Sequence, residues 1–309
     1  METAISTTGL GRDYGAVRAV DAVEVDVGSG EFFGFLGPNG AGKTTTIRML
    51  TTLLRPTRGT ARVAGLDVLE RPREVRRKIG LVFQDTTLDL DLTAEENLRF
   101  CTRLYGLSRR EADARIDEAL ELFRLRDRRR SQVRTFSGGM RRALDLARGV
   151  LHRPAILFLD EPTLGLDPAQ RRRIWAFLRE LCSEHGTTLF LTTHYLEEAD
   201  GCDRVAIVDS GRVVVSGEPA TLTKTLGNDR IDLKTERPQE IAPRVKELTG
   251  LDPHHAPQRL SLFVDAAEPV LPRLLPLTAD GVEIAVARPT LEDVFIDVTG
   301  ATTAEAAAA

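Results

Sequence analysis

Residues 33–45 read FGFLGPNGAGKTT, an apolar run that leads into the spacing G-x-x-x-x-G-K-T from Gly37. Those residue types suit the holding of phosphate. Gly37, Gly40 and Gly42 let the backbone curl so that successive N–H groups converge on phosphate oxygens. Lys43 places a point charge near the β- and γ-phosphates. Thr44 stands at the first turn of a helix expected to run through 45–50, where its hydroxyl can ligate magnesium and the positive helix end faces the anion. A strand expected at 32–36 before the loop, and the helical pattern after it, supply the context that the spacing requires.

A second group lies more than a hundred residues on. Residues 155–161, AILFLDE, form an apolar run that reads as a buried parallel strand ending in two carboxylates. Ligands of such sheets sit at strand ends. Asp160 is suited to hold magnesium through its water shell, and Glu161 to polarise a water attacking a γ-phosphate. Between the two groups lies Phe136-Ser137-Gly138-Gly139-Met140, then RRALDLARGVL, in which Leu144, Ala147 and Val150 or Leu151 recur at helical spacing. Ser137 reads as the N-cap of that helix. Gly138 and Gly139 strip side chains from its mouth, so an anion could approach the exposed N–H groups. One chain cannot easily use both phosphate sites on one nucleotide, and a head-to-tail pair, each chain completing the other's site, is the natural geometry.

GPNGAGKT, Gln84, FSGGM, LFLDEPTLGLD and His194, in that order, make residues 5–225 resemble the ATP-binding subunit of an ABC transporter. Met140 after the SGG, the run VFQDTTLDLDLTAEENLRFCTRLYGL and the ending PTLEDVFIDVTG resemble the daunorubicin-resistance type of drug-export ATPase. The resemblance implies an α/β fold: a P-loop nucleotide-binding domain with a RecA-like core, an antiparallel β subdomain and a helical lobe. It implies ATP and Mg2+ as ligands, a homodimer enclosing two ATP sites, and a separate ABC-2-type membrane permease. By position, Gly37, Asn39, Gly40, Ala41, Gly42, Lys43, Thr44 and Thr45 would hold the phosphates, and Ser137, Gly138 and Gly139 would face the partner's nucleotide. Thr44, Gln84 and Asp160 would serve the metal, while Glu161, His194 and Gln84 would act on the attacking water. Tyr14, in GRDYG, matches the aromatic that stacks on adenine, or is an ordinary half-buried residue at a strand end. Asp167 matches the residue that meets the partner subunit, or caps the helix begun by Pro168. Met140 departs from the usual glutamine, and a thioether cannot reproduce an amide's two donors.

The elements expected to position these groups follow from pattern. Short strands and turns fill 5–83, with a strand at 79–83 ending at Gln84. Amphipathic helices are expected at 94–105 and 109–123, and strands at 188–192, 204–208 and 212–216. The ATP-binding domain is expected over 1–226 with its helical lobe at about 85–151. A small α+β accessory domain should fill 227–300, with strands near 231–233, 260–264 and 282–286, and 301–309 should be a frayed tail. Leu88, Leu90 and Leu92 are candidate permease contacts by resemblance, or lobe core.

Composition agrees. The 309 residues are 42% hydrophobic and 28% charged with a net charge of -4, enough for a sizeable core and no electrostatic case for nucleic acid. The arginine runs at 124–130 and 171–173 read as solvated faces or partner contacts. The sequence has no uncharged apolar run of the length that spans a bilayer and no leader pattern at its start, and its three cysteines lack metal or redox spacing. The expectation is a soluble chain, peripheral on the cytoplasmic side of the cell membrane. A single cradle disfavours the alternative of a soluble ABC-type ATPase acting on ribosomes or DNA, which usually carries two cassettes. A nucleotide-binding scaffold without turnover is disfavoured by Glu161 and His194.

Overall fold

A computed structural model describes residues 2–193, 195–256 and 258–300. The chain divides into two compact units, one holding most of residues 2–193 with 210–213, the other 36–39, the described residues of 195–209, and those from 214 to 300.

In the first unit the chain runs through β1 (Thr3–Tyr14), β2 (Val17–Val23), β3 (Asp26–Gly28), β4 (Phe32–Leu36), α1 (Lys43–Leu50), β5 (Arg58–Val63), β6 (Leu66–Asp67), α2 (Pro72–Lys78) and β7 (Ile79–Val82). It continues through α3 (Ala94–Leu104), α4 (Arg109–Leu122), α5 (Gly138–Val150), β8 (Ile156–Asp160), α6 (Pro168–His185) and β9 (Thr188–Thr193). The last residue of β4, Leu36, falls with the second unit.

β2, β1, β5 and β6 pair in that order, with β3 also on β1. β1 is longer than the short strands expected there. Register shifts around residues 8–13 bend it, so that one strand pairs with β5 and β3 on one stretch and β2 on another. Beside this layer, β4, β9, β8 and β7 follow one another in a second sheet, with β7–β8 and β8–β9 parallel. All five residues of β4 and of β8 and all six of β9 are buried, as strands covered on both faces must be. Phe190 packs against Phe33, Phe35 and Phe158 across three of these strands, and Trp175 of α6 stacks on Phe32.

Between β7 and β8 the described chain is helical. Capping boxes open α3 at Thr93 and α4 at Ser108. In the arginine run at 124–130, Arg124, Arg126, Arg128 and Arg130 are exposed as a solvated face requires, while the half-buried Arg129 pairs with Glu95 of α3 and Asp117 of α4. Arg129, and after it Arg99, hold the Glu95 carboxyl down at about 2. Leu88 is buried, which is the core alternative, while Leu90 stands exposed and Leu92 is half-buried. α5 is buried nearly all round, because Gly149 lets it settle on β7: a Cβ there would lie 2.8 Å from Val82.

The second unit holds β10 (Arg204–Asp209), β11 (Arg212–Gly217) from Val214 onward, and α7 (Pro219–Lys224). Ser210 and Gly211, which fall with the first unit, both take positive φ, as a two-residue hairpin turn does. Then come β12 (Asp229–Lys234), α8 (Pro238–Thr249), β13 (His254–Ala256), β14 (Arg259–Val264), α9 (Leu271–Leu274), β15 (Glu283–Ala287) and α10 (Leu291–Thr299). The sheet order is β13-β14-β12-β15, antiparallel throughout, and α8 and α9 cover one face over a core that includes Ile231, Leu233, Val245, Leu260, Leu262 and Leu274. The expected tail at 301–309 lies outside the described residues. No described helix is long and apolar enough to cross a membrane.

Candidate functional site

The cradle is built where the chain enters α1. Gly42, the N-cap, has φ +97 and lies so close to β2 that a Cβ would stand 2.5 Å from the Ala19 carbonyl, so position 42 tolerates no side chain. The Gly211 N–H bonds the Ala41 carbonyl (3.1 Å) and the Gly211 carbonyl accepts from the Asp21 N–H (2.7 Å), which braces this turn. No side chain caps α1, so no capping oxygen competes for its first N–H groups. Gly40 and Asn39 are exposed, Ala41 is buried, and Thr44 and Thr45 are half-buried; Gly37 and Asn39 belong to the second unit.

Lys43 begins α1 and is only 5% exposed. Burial lowers its pKa, against the opposing pull of Glu161 and then Asp160. The Thr44 hydroxyl donates to Asp160 Oδ1 at 3.3 Å, and the Thr192 hydroxyl donates to the same oxygen at 2.6 Å. A lysine, a hydroxyl and two carboxylates from positions 43 to 161 therefore converge where β8 ends. Thr44 and Asp160 offer hard oxygens side by side, a donor set that suits Mg2+ completed by phosphate and water.

Glu161 follows β8 with φ +48, a left-handed conformation that carries strain for a non-glycine residue. Its N–H donates to the Thr192 carbonyl at 3.0 Å, which ties it to β9. Gln84 lies beyond the end of β7, which stops at Val82 rather than at Phe83, and its side chain is exposed. His194 lies outside the described residues.

The mouth of α5 is different in build. Ser137 caps it, its hydroxyl oxygen accepting from the Met140 N–H at 3.3 Å. A Cβ on Gly138 would meet nothing within 4 Å, whereas one on Gly139 would stand 2.0 Å from the Gln170 side chain. Gln170 is in the first turn of α6, whose N-cap is Asp167, its Oδ1 accepting from the Gln170 N–H at 2.8 Å. The capping alternative for Asp167 is thus realised, with one carboxylate oxygen left for other contacts. Met140 lines a cavity of about 330 Å³ between α5 and α6. Tyr14, at the end of β1, is 45% exposed rather than half-buried, with the Arg12 guanidinium 4.7 Å from its ring centre.

Sequence reasoning passed over Thr192 and the set made by the buried Arg142 and Asp145 with the half-buried Arg148. Arg142 and Asp145 are 4% and 1% exposed on the helix between the two groups, and Arg142 donates to carbonyls of both the Gln84 and the Glu161 segments. Burial pushes the Asp145 carboxyl up and the Arg142 guanidinium down. The spacing R-x-x-D-x-x-R, one charged stripe on a helix otherwise headed for the core, is the signal that could have found them.

The ABC transporter family model matches residues 20–164. The chain is 43% identical over 306 residues to the daunorubicin resistance ATP-binding protein DrrA3 of Streptomyces coeruleorubidus, covering 97% of this chain and 96% of that one. It is 40% identical to the Nod factor export ATP-binding protein I of Cupriavidus metallidurans, over 93% and 94% of the two chains. Among solved structures, the dimeric post-hydrolysis state of the ATP-binding cassette MJ0796 bound to ADP and Pi superposes with a TM-score of 0.64 at 26% identity, over 69% of this chain and 98% of that one.

Proposed function

The chain belongs to the ATP-binding proteins of ABC transporters, within their daunorubicin-resistance type, and from that premise we propose that it hydrolyses ATP to drive export of a drug-like or lipid-like molecule through a separate permease. The observation that carries the reading is the convergence of Lys43, Thr44, Asp160 and Glu161 at one strand end, within a fold of which one solved relative holds ADP and phosphate. The relatives reported above are named for drug resistance and for Nod factor export, which supports an exporter over an ATPase acting on ribosomes or DNA.

In this reading the backbone of residues 37–45 wraps the phosphates and Lys43 neutralises charge on the β- and γ-phosphoryl oxygens. Thr44, Asp160 and Gln84 would hold Mg2+, which when bound would supply neutralisation of the phosphate charge. Glu161 accepts a proton from water as the water oxygen bonds the γ-phosphorus and the bond from that phosphorus to the ADP oxygen breaks. Gln84 and His194 orient that water, His194 being assigned by sequence alone. Tyr14 stacks on adenine by the ring face away from Arg12. Ser137, Gly138 and Gly139 meet the nucleotide of a second copy, and Asp167 meets that copy's surface, so two chains enclose two ATP molecules. An ABC-2-type permease docks on the segment that exposes Leu90 and holds the pair at the cytoplasmic face of the membrane. Residues 1–226 form the ATP-binding domain and 227–300 an accessory one.

Glu161→Gln tests the core of this reading. Single-turnover hydrolysis should fall at least about a hundredfold while nucleotide affinity stays within about twofold, since positioning survives and only proton acceptance is lost. Wild-type turnover would place the base elsewhere. The same variant, isolated from detergent-solubilised membranes with magnesium and ATP, should bring a multi-helix permease with it; ribosomal or DNA-repair proteins in its place would favour the alternative.

A further inference from the structure

Arg142 is a charged side chain in the interior, and its donors are aimed at backbone rather than at a carboxylate. Nε donates to the Pro162 carbonyl at 2.6 Å, Nη2 to those of Glu161 at 3.2 Å and Asp160 at 3.4 Å, and Nη1 to those of Phe83 and, at 3.4 Å, Gln84. One planar fork therefore spans two separate segments, the one that leaves β7 toward Gln84 and the one that leaves β8 through Glu161. A guanidinium can do this because its five N–H groups are fixed in one plane, whereas a lysine presents a single rotating head.

The second segment needs such support. Glu161 is held at φ +48, and a strained residue persists only where its surroundings over-determine it. Its N–H is fixed by the Thr192 carbonyl at 3.0 Å and hydroxyl at 3.3 Å on β9, and its own carbonyl accepts from Arg142 at 3.2 Å and from the Leu164 N–H of its own turn at 3.3 Å. Arg142 is the tie on that carbonyl that comes from outside the turn. The charge of Arg142 is balanced inside the same helix: Asp145 lies 3.6 Å away, and Arg148 sits 2.5 Å from Asp145 and donates to the Thr87 carbonyl at 2.9 Å. The cluster thus grips the chain on both sides of the exposed Gln84.

We propose that Arg142 is a positioning residue for hydrolysis: it clamps the backbone of Glu161 in the left-handed conformation and keeps the Gln84 segment in register with it. The proposal rests on the assignment of Glu161 as base made above. Arg142 acts through backbone carbonyls, and its contribution is geometric, of the kind in which a displacement of about 1 Å costs on the order of a hundredfold in rate.

The test is a double-mutant cycle on single-turnover hydrolysis in the full-length chain, with nucleotide affinity and thermal midpoint measured alongside. Arg142→Gln should slow hydrolysis about tenfold to a hundredfold and leave the ATP dissociation constant within about twofold. In a Glu161→Gln background the same substitution should add less than about threefold, because a clamp on an absent base has nothing left to position. Arg142→Lys should not restore the rate. Arg142→Gln removes one of the two arginines that flank the buried Asp145, so the pair Arg142→Gln with Asp145→Asn, which removes that carboxylate as well, should show the same kinetic pattern.

Hydrolysis at the wild-type rate in either variant, losses that multiply in the Glu161→Gln background, or hydrolysis and nucleotide affinity falling in parallel would each overturn the clamp. So would a failure of both variants to fold, which would make Arg142 a residue of stability alone. Wild-type hydrolysis in Glu161→Gln by itself is a separate result, read from that variant alone, and would remove the base assignment together with the proposal.

Discussion

α1 and α5 both begin after glycines in a turn, and both offer a helix N-terminus to an anion, yet they are built to different specifications. The mouth of α1 is furnished from within the chain, with a left-handed Gly42 as N-cap, no capping side chain, a buried lysine, and a hydroxyl beside a carboxylate. The mouth of α5 carries a serine cap that already occupies the Met140 N–H, a methionine where a polar side chain could stand, and an exposed Gly138 with open space around it. Gly42 is demanded by the chain's own packing, because Ala19 fills the space a Cβ would take. Among the described residues nothing demands Gly138: its φ is not positive, and alanine would fit. Glycine loses more conformational freedom on folding than alanine. The proposed close approach of a second copy's nucleotide would account for its presence.

Lys43→Ala attacks the furnished mouth and should have the largest effect. The charge facing the phosphates is lost, so hydrolysis should fall by at least about a hundredfold and ATP affinity by about tenfold or more, read by single turnover and by equilibrium titration. Turnover at the wild-type rate would mean that the cradle is not where ATP is held.

Gly138→Ala sharpens the contrast, with an intermediate effect. The isolated chain should be unchanged or slightly more stable, its thermal midpoint equal to or above that of the wild type. ATPase activity at concentrations where chains pair should nevertheless drop about tenfold, about 1.4 kcal/mol of lost transition-state stabilisation. Activity and stability would then move in opposite directions, which a role in folding does not produce. Unchanged activity would leave the α5 mouth without a phosphate to meet.

The two mouths also differ in how legible they were. The α1 cradle, the strand of buried aromatics that leads into it and the Asp160-Glu161 strand end are visible in sequence because each is contiguous: an apolar run, a glycine spacing, a terminal charge. The caps at Ser137 and Asp167 are equally local. What pattern reading missed is what joins segments far apart. Thr192 meets Asp160 across neighbouring strands, and Arg142 reaches carbonyls 59 and 20 residues away. Carbonyl acceptors leave no mark on residue type, so an arginine that serves them looks like any charged helix position. The length of β1 was hidden by its bulges, since a strand that changes partners breaks the strict alternation of its side chains. β13, with a pattern of two exposed residues and one half-buried, had no apolar run to announce it.

Met140→Gln has the smallest expected effect, and its size separates two accounts of the α5 mouth. If anion binding there depends on backbone N–H groups and the helix dipole, the side chain at 140 is a bystander: its N–H is already committed to Ser137, and its thioether lines the cavity between α5 and α6. Hydrolysis should then change by less than about threefold, roughly 0.7 kcal/mol, in either direction. A rise of about tenfold or more would show instead that an amide at this position supplies donors the chain has given up, and that its α5 mouth is weaker than the one at α1 for want of a single side chain.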